Sequence, residues 1–389
     1  MMLSDLSPSG KSLLLIRTGA LGDLVHASAT ARWLLDENPD LKLHWLCSPV
    51  FFPVIQAVDA RIQVWPWHRS FARQLALALW LATLPLAGCV NWQPSVKSGL
   101  QLWGLNAFRR LRHGAEPAPV ARYRKQKPAV TGALAREQSR EQSREQCRIH
   151  AVENFFMPLA SASFVSQVLS EASYDAMKVE QSGPQGLPRL VPKLGAPEIA
   201  LSALPAPAQI VLIPGVGGKR PNRAWPASAW LGLIQSLLTH TNARLAILGG
   251  PEETALVSQL MAGVANISGL ERVVGIPGTL SLPEMMAYLS HTQVVVGGDT
   301  GPVHVAAALG CRIVGLYAPT SVARTGPRGP MQAQIITLTP PEALACWPCE
   351  RKTCTSNESL PSGGDATACI ANISPERVLE AVMLLINGI

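Results

Sequence analysis

The chain has 389 residues, 48% hydrophobic and 15% charged, enough for two α/β domains of ordinary size, each with its own core. Its formal net charge of +7 points to an acidic partner such as a phosphorylated sugar, lipid or nucleotide. Aromatic content is 5%, and no zinc-finger or RNA-recognition signature is present, so nucleic acid is not an expected partner. The polar N-terminus does not read as a signal peptide. The best apolar run, 75–90, is short and broken by Pro85, so the expectation is a cytoplasmic protein, able to dock on a membrane face.

In chain order, strands are predicted at 12–17, 42–46, 62–65 and 86–92, and helices at 23–37, 50–57, 70–82 and 95–105. A basic run at 107–127 follows. An Arg-Glu-Gln-Ser repeat then starts at Arg136, in a low-complexity insert over 130–148 to which no catalytic part is assigned. A helix is expected at 150–170. Proline and glycine dominate the next stretch, which reads as a linker over 186–208 between domains at 1–185 and 209–374. The second half has predicted strands at 209–213, 244–248, 271–274, 293–296 and 312–317. Its helices are predicted at 227–239, 252–261, 281–290 and 303–309, with a terminal helix inside 375–389. Such alternation predicts parallel sheets, with ligands at the carboxyl ends of the strands and a site in the cleft between two facing halves.

Four motifs sit at predicted strand ends. Gly19-x-x-Gly22-Asp23-x-x-His26 follows the first strand; Asp23 is either a helix cap or a general base. Pro214-Gly-Val-Gly217-Gly218-Lys219-Arg220, then Arg223-Ala-Trp-Pro, is either a plain loop or a diphosphate cradle with cations beside it. Gly249-Gly250-Pro-Glu252-Glu253 places acids either in a first helical turn or on ribose hydroxyls. Gly298-Asp299-Thr300-Gly301-Pro-x-His304 opens a helix whose first N–H groups suit an anion, and His304 is either a packing residue or part of the site.

Together these motifs resemble glycosyltransferase family 9, the bacterial ADP-heptose:lipopolysaccharide heptosyltransferases, from about residue 13 to 378. The resemblance implies a GT-B fold of two Rossmann-like domains, the first for the acceptor and the second for the nucleotide sugar. It further implies an inverting transfer that needs no catalytic cofactor. On it, Asp23 matches the catalytic base. Asp299 matches the residue that holds the heptose, with His304 in the same donor segment; Thr300 and Gly301 stand at the diphosphate. Gly217, Gly218 and Arg223 match the phosphate loop, and Glu253 or its neighbour Glu252 the ribose contact. Lys97, in the lysine-serine segment after a strand, and Arg69 are candidates for acceptor phosphates, the acceptor being a phosphorylated lipid-linked oligosaccharide. Two positions depart from the family: Arg223 replaces the usual lysine before Trp-Pro, and Ala29 a usual proline. The other readings are a non-catalytic nucleotide-sugar or carbohydrate-binding protein on this fold, or an enzyme with another nucleotide sugar.

Cys47, Cys89 and Cys311 lie in apolar, strand-like surroundings and read as core residues. Cys346, Cys349, Cys354 and Cys369 have metal-ligand spacing, and some members of the family carry a similar cluster that in some binds iron. A structural zinc or iron site, plain reduced thiols and adventitious disulfides are the readings.

Overall fold

The computed structural model describes residues 12–68, 70–84, 86–93, 120–122, 192–217, 221–340, 348–349 and 368–388. The predicted helices at 95–105 and 150–170, the repeat, and most of the basic run lie outside the described residues. The chain divides into two compact units, Met1–Pro192 and Lys193–Ile389.

The first unit carries β1 (Ser12–Ile16), β2 (Lys42–Cys47), β3 (Ile62–Pro66), β4 (Leu86–Asn91) and β5 (Val120–Arg122), in the order β3-β2-β1-β4-β5. Every described pairing is parallel. A central parallel strand is covered on both faces, so it needs apolar residues without alternation, and Ser-Leu-Leu-Leu-Ile of β1 is buried throughout. Helices α1 (Leu21–Glu37), α2 (Phe52–Gln56) and α3 (Phe71–Leu81) make the crossovers. Helix α1 begins two residues earlier than the sequence pattern indicates, which places Asp23 inside its first turn rather than before it.

The second unit has β6 (Ile210–Ile213), β7 (Leu245–Gly249), β8 (Val273–Pro277), β9 (Val294–Gly298), β10 (Arg312–Leu316) and β11 (Ile335–Leu338), in the order β11-β10-β9-β6-β7-β8. Counted from β6, this is the 3-2-1-4-5-6 order of a doubly wound nucleotide-binding sheet. Helix α4 (Ala227–His240) shows how its helices dock: Trp230, Leu233, Ile234, Leu237 and Leu238 recur at helical spacing and are all buried against the sheet. Helices α5 (Thr254–Gly263), α6 (Leu282–Ser290), α7 (Gly301–Leu309) and α8 (Val322–Thr325) follow. Ser281 starts α6 with a capping box, its N–H donating to Glu284 Oε2 at 2.7 Å, the kind of cap worth about 1 kcal/mol. The chain ends with α9 (Ala368–Ala371) and α10 (Pro375–Asn387), whose buried faces join the same core. Two parallel, doubly wound halves are the architecture of the GT-B class. No helix among the described residues is long and apolar enough to cross a membrane.

His44, on β2, is 2% exposed, and its Nδ1 accepts a hydrogen bond from Trp65 Nε1 at 3.1 Å. Burial, helped by the charge of Lys42, lowers its pKa to about 4. The unfolded chain therefore binds a proton between pH 6.5 and 4 that the folded chain refuses, and stability falls as pH drops through that window. Urea denaturation of wild type against His44→Phe across this range should show a difference that closes by up to about 3 kcal/mol towards acid pH. Parallel pH profiles would rule out His44 as the source.

Candidate functional site

In the second unit the strand order reverses between β6 and β9, and the crevice beyond their carboxyl ends is where a doubly wound sheet takes its ligand. A cavity of about 170 Å³ lies there, lined by Gly215, Gly217, Gly249, Gly250, Glu253 and Thr300, with Leu248, Leu280, Met285 and Pro302 as apolar walls. These liners come from the strand ends and the loops just past them. Gly217 has φ +70°, a conformation that favours glycine, and its surroundings are open, so backbone rather than side chain meets whatever enters.

Glu253 ends a short 3₁₀ turn, Pro251–Glu253, directly after β7. Its Oε2 accepts a hydrogen bond from the Gly250 N–H at 2.9 Å, which fixes the side chain over the cavity. A Cβ on Gly215 would lie 2.4 Å from Glu253 Cγ, so the glycine is what gives the glutamate its seat.

Helix α7 opens the other wall. Thr300 is extended, its side chain caps nothing, and Gly301 is the first helical residue, followed by Pro302. The N–H groups of this first turn are thus presented at the positive end of the helix dipole, a disposition suited to phosphate.

Behind these loops lies a polar cluster centred on Asp299, 7% exposed. Arg223 Nη1 donates to Asp299 Oδ2 at 2.8 Å and to its carbonyl oxygen at 3.0 Å. His304 Nε2 is 3.3 Å from Oδ1, and Thr325 Oγ1 donates to Oδ2 at 3.2 Å. Burial works against ionisation of Asp299, but the His304 hydrogen bond and the Arg223 charge outweigh it and hold the carboxyl below its usual value. Trp225, next to this arginine, is buried and donates through Nε1 to the Ile373 carbonyl at 2.8 Å, which anchors the loop to the chain's last segment.

In the first unit the reversal lies between β1 and β4. Asp23, the third residue of α1, projects at that end with its side chain 43% exposed, and its Oδ2 pairs with Arg17 Nη2. Arg17 Nη1 in turn donates to the Trp92 carbonyl, just past β4, at 2.7 Å. The sequence motifs did not single out Arg17; its place as the first residue after a buried strand was the available signal.

The structure thus gathers Gly217, Glu253 and Thr300 around one cavity, joins Arg223, Asp299 and His304 in one cluster, and sets Gly301 at the helix start between them. Asp23 belongs to the other unit. Gly218, Arg69, Lys97, Cys346 and Cys354 lie outside the described residues. Cys47, Cys89 and Cys311 are buried, as their apolar surroundings indicate. Cys369, in α9, packs into the apolar core of the second unit, whereas Cys349 is half-buried. Among the described residues no three His, Cys, Asp or Glu side chains come together as a metal site.

Removing the Asp299 carboxylate leaves a largely buried Arg223 guanidinium without its anion. Asp299→Ala should therefore cost the second unit about 3–5 kcal/mol in urea denaturation. The folded carboxyl titrates below its unfolded value of 3.8, so the stabilisation is complete above that value and is lost as pH falls through the lower folded one. An unchanged denaturation midpoint would rule out a structural role for the carboxylate.

The comparisons agree with this fold. The family model described as "Glycosyltransferase family 9 (heptosyltransferase)" matches residues 123–359, more than half of the chain. Lipopolysaccharide heptosyltransferase 1 of Pseudomonas aeruginosa is 25% identical, over 96% of this chain and 98% of that protein. The structure of E. coli ADP-heptose LPS heptosyltransferase II superposes with a TM-score of 0.66 at 17% identity, over 97% of this chain and 99% of that one. E. coli heptosyltransferase WaaC with ADP superposes with a TM-score of 0.58 at 19% identity, over 96% and 99%. With the family model spanning the second unit's nucleotide-type sheet and its strand-end loops, the chain belongs to glycosyltransferase family 9, the heptosyltransferases.

Proposed function

We propose that the protein transfers heptose from ADP-heptose to a lipopolysaccharide core acceptor, with inversion at the anomeric carbon. The observation that carries this is the cavity at the ends of β6, β7 and β9, whose walls match the parts of a nucleoside diphosphate sugar. Leu248, Leu280, Met285 and Pro302 offer apolar contact to a base, and Glu253 a carboxylate oxygen to ribose hydroxyls. The Gly217–Gly218 loop and the N–H groups after Thr300 receive the diphosphate, and Arg223 stands beside it. Asp299 and His304 belong to the sugar end. The name of the P. aeruginosa relative, a lipopolysaccharide heptosyltransferase, supports heptose as the transferred sugar and lipopolysaccharide as the acceptor.

In the reaction, Asp23 takes the proton of an acceptor hydroxyl as the oxygen forms its bond to the anomeric carbon. The bond from that carbon to the diphosphate oxygen breaks, and its electron pair leaves with ADP. The helix start at Gly301 and the glycine loop stabilise the charge that develops there. Arg69 and Lys97 are assigned to acceptor phosphates, and the net charge of +7 favours an anionic, lipid-linked acceptor at the cytoplasmic face of the inner membrane.

Asp23→Asn should keep its denaturation midpoint and its affinity for ADP, and should lose about 10²–10⁴-fold in heptosyl transfer, followed by mass detection of the product. Turnover near wild type in this variant would remove Asp23 as the base. Titration with ADP, UDP and GDP tests the donor, and tighter binding of UDP or GDP than of ADP would reassign it.

The thiols of Cys346, Cys349, Cys354 and Cys369 are assigned, as a separate proposal, to a structural zinc or iron ion. Thiolates suit either metal, and Cys369 would be the ligand that the apolar core covers. Metal analysis of untagged protein should return about one zinc or iron per chain. A substoichiometric yield of both would show that the cysteines are ordinary thiols.

A further inference from the structure

Arg17 has no part in the reaction as set out above, yet it is the side chain that meets Asp23 among the described residues. Its guanidinium spans the two central strands of the first sheet. It starts from the residue after β1, donates through Nη1 to the Trp92 carbonyl beyond β4 at 2.7 Å, and holds Asp23 Oδ2 through Nη2. The fork is planar and rigid, so fixing one nitrogen on the sheet sets the direction of the other. The cation is the inner partner, its side chain 13% exposed, and the carboxylate the outer one, 43% exposed. A carboxylate that open to solvent samples several rotamers unless something holds it.

We propose that Arg17 is a positioning residue for glycosyl transfer: it holds Asp23 by Oδ2 so that Oδ1 faces the acceptor hydroxyl. The proposal rests on the reading of Asp23 as the base.

The surrounding structure argues against a purely architectural pair. The backbone at this position is already fixed by the sheet, with Arg17 N–H donating to the Leu46 carbonyl at 3.2 Å and Trp45 Nε1 donating to the Arg17 carbonyl at 3.3 Å. Helix α1 favours an acid in its first turn without help, because its dipole is positive there. Asp23 makes no side-chain cap for the helix, since the N-cap residue is Ala20 and no cap hydrogen bond forms. What Arg17 adds is direction, and direction matters for proton transfer: misplacing a catalytic group by about 1 Å costs on the order of 10²-fold in rate.

The test uses the full chain with the nucleotide-sugar donor and the core acceptor, comparing wild type, Arg17→Ala, Arg17→Lys and Asp23→Asn. Arg17→Ala should lower kcat by roughly 10–100-fold, with the KM of both substrates and the ADP affinity within about twofold of wild type. Arg17→Lys keeps the charge without the fork and should recover part of the loss. Added guanidinium chloride should raise turnover of Arg17→Ala but not of Asp23→Asn, a distinction that a general loss of fold does not produce. Should Arg17→Ala fail to fold, the kcat and KM of Arg17→Lys carry the comparison. Two results would overturn the proposal: kcat of Arg17→Ala within about twofold of wild type, or a loss confined to the acceptor KM, which would make Arg17 an acceptor contact. Full activity in Asp23→Asn would instead reject the base itself; an inactive Asp23→Asn beside an unaffected Arg17→Ala rejects only the positioning role.

Discussion

The second unit is organised around one buried carboxylate. An ionised acid as enclosed as Asp299 survives only if its oxygens are satisfied, and here Arg223, His304 and Thr325 do so from three different segments. The arginine arrives from the turn after the glycine loop, the histidine from α7, and the threonine from α8. Satisfying one charge therefore sets the loop beyond β6, the helix start beyond β9 and the segment beyond β10 relative to one another. The loop beyond β6 and the helix start beyond β9 form two walls of the cavity, so the ion pair fixes that side of it, while the turn after β7 with Leu280 and Met285 supplies the rest. Burial, with the same charge adding to it, raises the Tyr317 hydroxyl well above its usual value and keeps it neutral, where it donates to the Thr325 carbonyl at 3.0 Å.

This constraint separates the two aspartates that the motifs present. Asp299 is enclosed by its cation and hydrogen-bond donors, its carboxyl held below its usual value, and it has little to offer a proton. Asp23 is open on one side and touches one guanidinium at the start of a helix. One acid follows the first strand of its sheet and the other the fourth strand of its own: Asp299 ties three segments together beside the proposed sugar end, and Asp23, as proposed, does the proton chemistry. Both depend on an arginine that reaches across the central strands, although Arg223 stabilises a buried charge and Arg17 directs an exposed one.

Much of the scaffold was legible in the chain. Runs such as Leu13–Leu15 and Val294–Val296 are buried on both faces, so apolar continuity bounded by glycine turns read as parallel strands. What escaped lies at the sheet edges. Strand β5 is only three residues long, too short for a pattern to show, and β11 is a four-residue Ile-Ile-Thr-Leu run at the sheet edge, half-buried along its length. The weak strand expected at 271–274 forms at Val273–Pro277, because the residues before it enter a 3₁₀ turn at Leu270–Arg272. Cys369 follows a polar stretch of sequence, and the short helix that holds it turns its inner side to the core. Local polarity cannot reveal which way one turn of helix will face.

The glycine turns, the acids beside them and the helix starts that follow were all determined by short-range sequence, since turn geometry and helix dipoles act within a few residues. The pairings that give those residues their work were not. Arg223 and Asp299 are 76 positions apart, and Arg17 and the Trp92 carbonyl are 75 apart. Only the winding of each sheet, which brings its first and fourth strands side by side, makes them neighbours. Sequence alone named the acids; tertiary structure decided which one is enclosed and which stays open, because burial and ion pairing depend on distances that chain order does not encode.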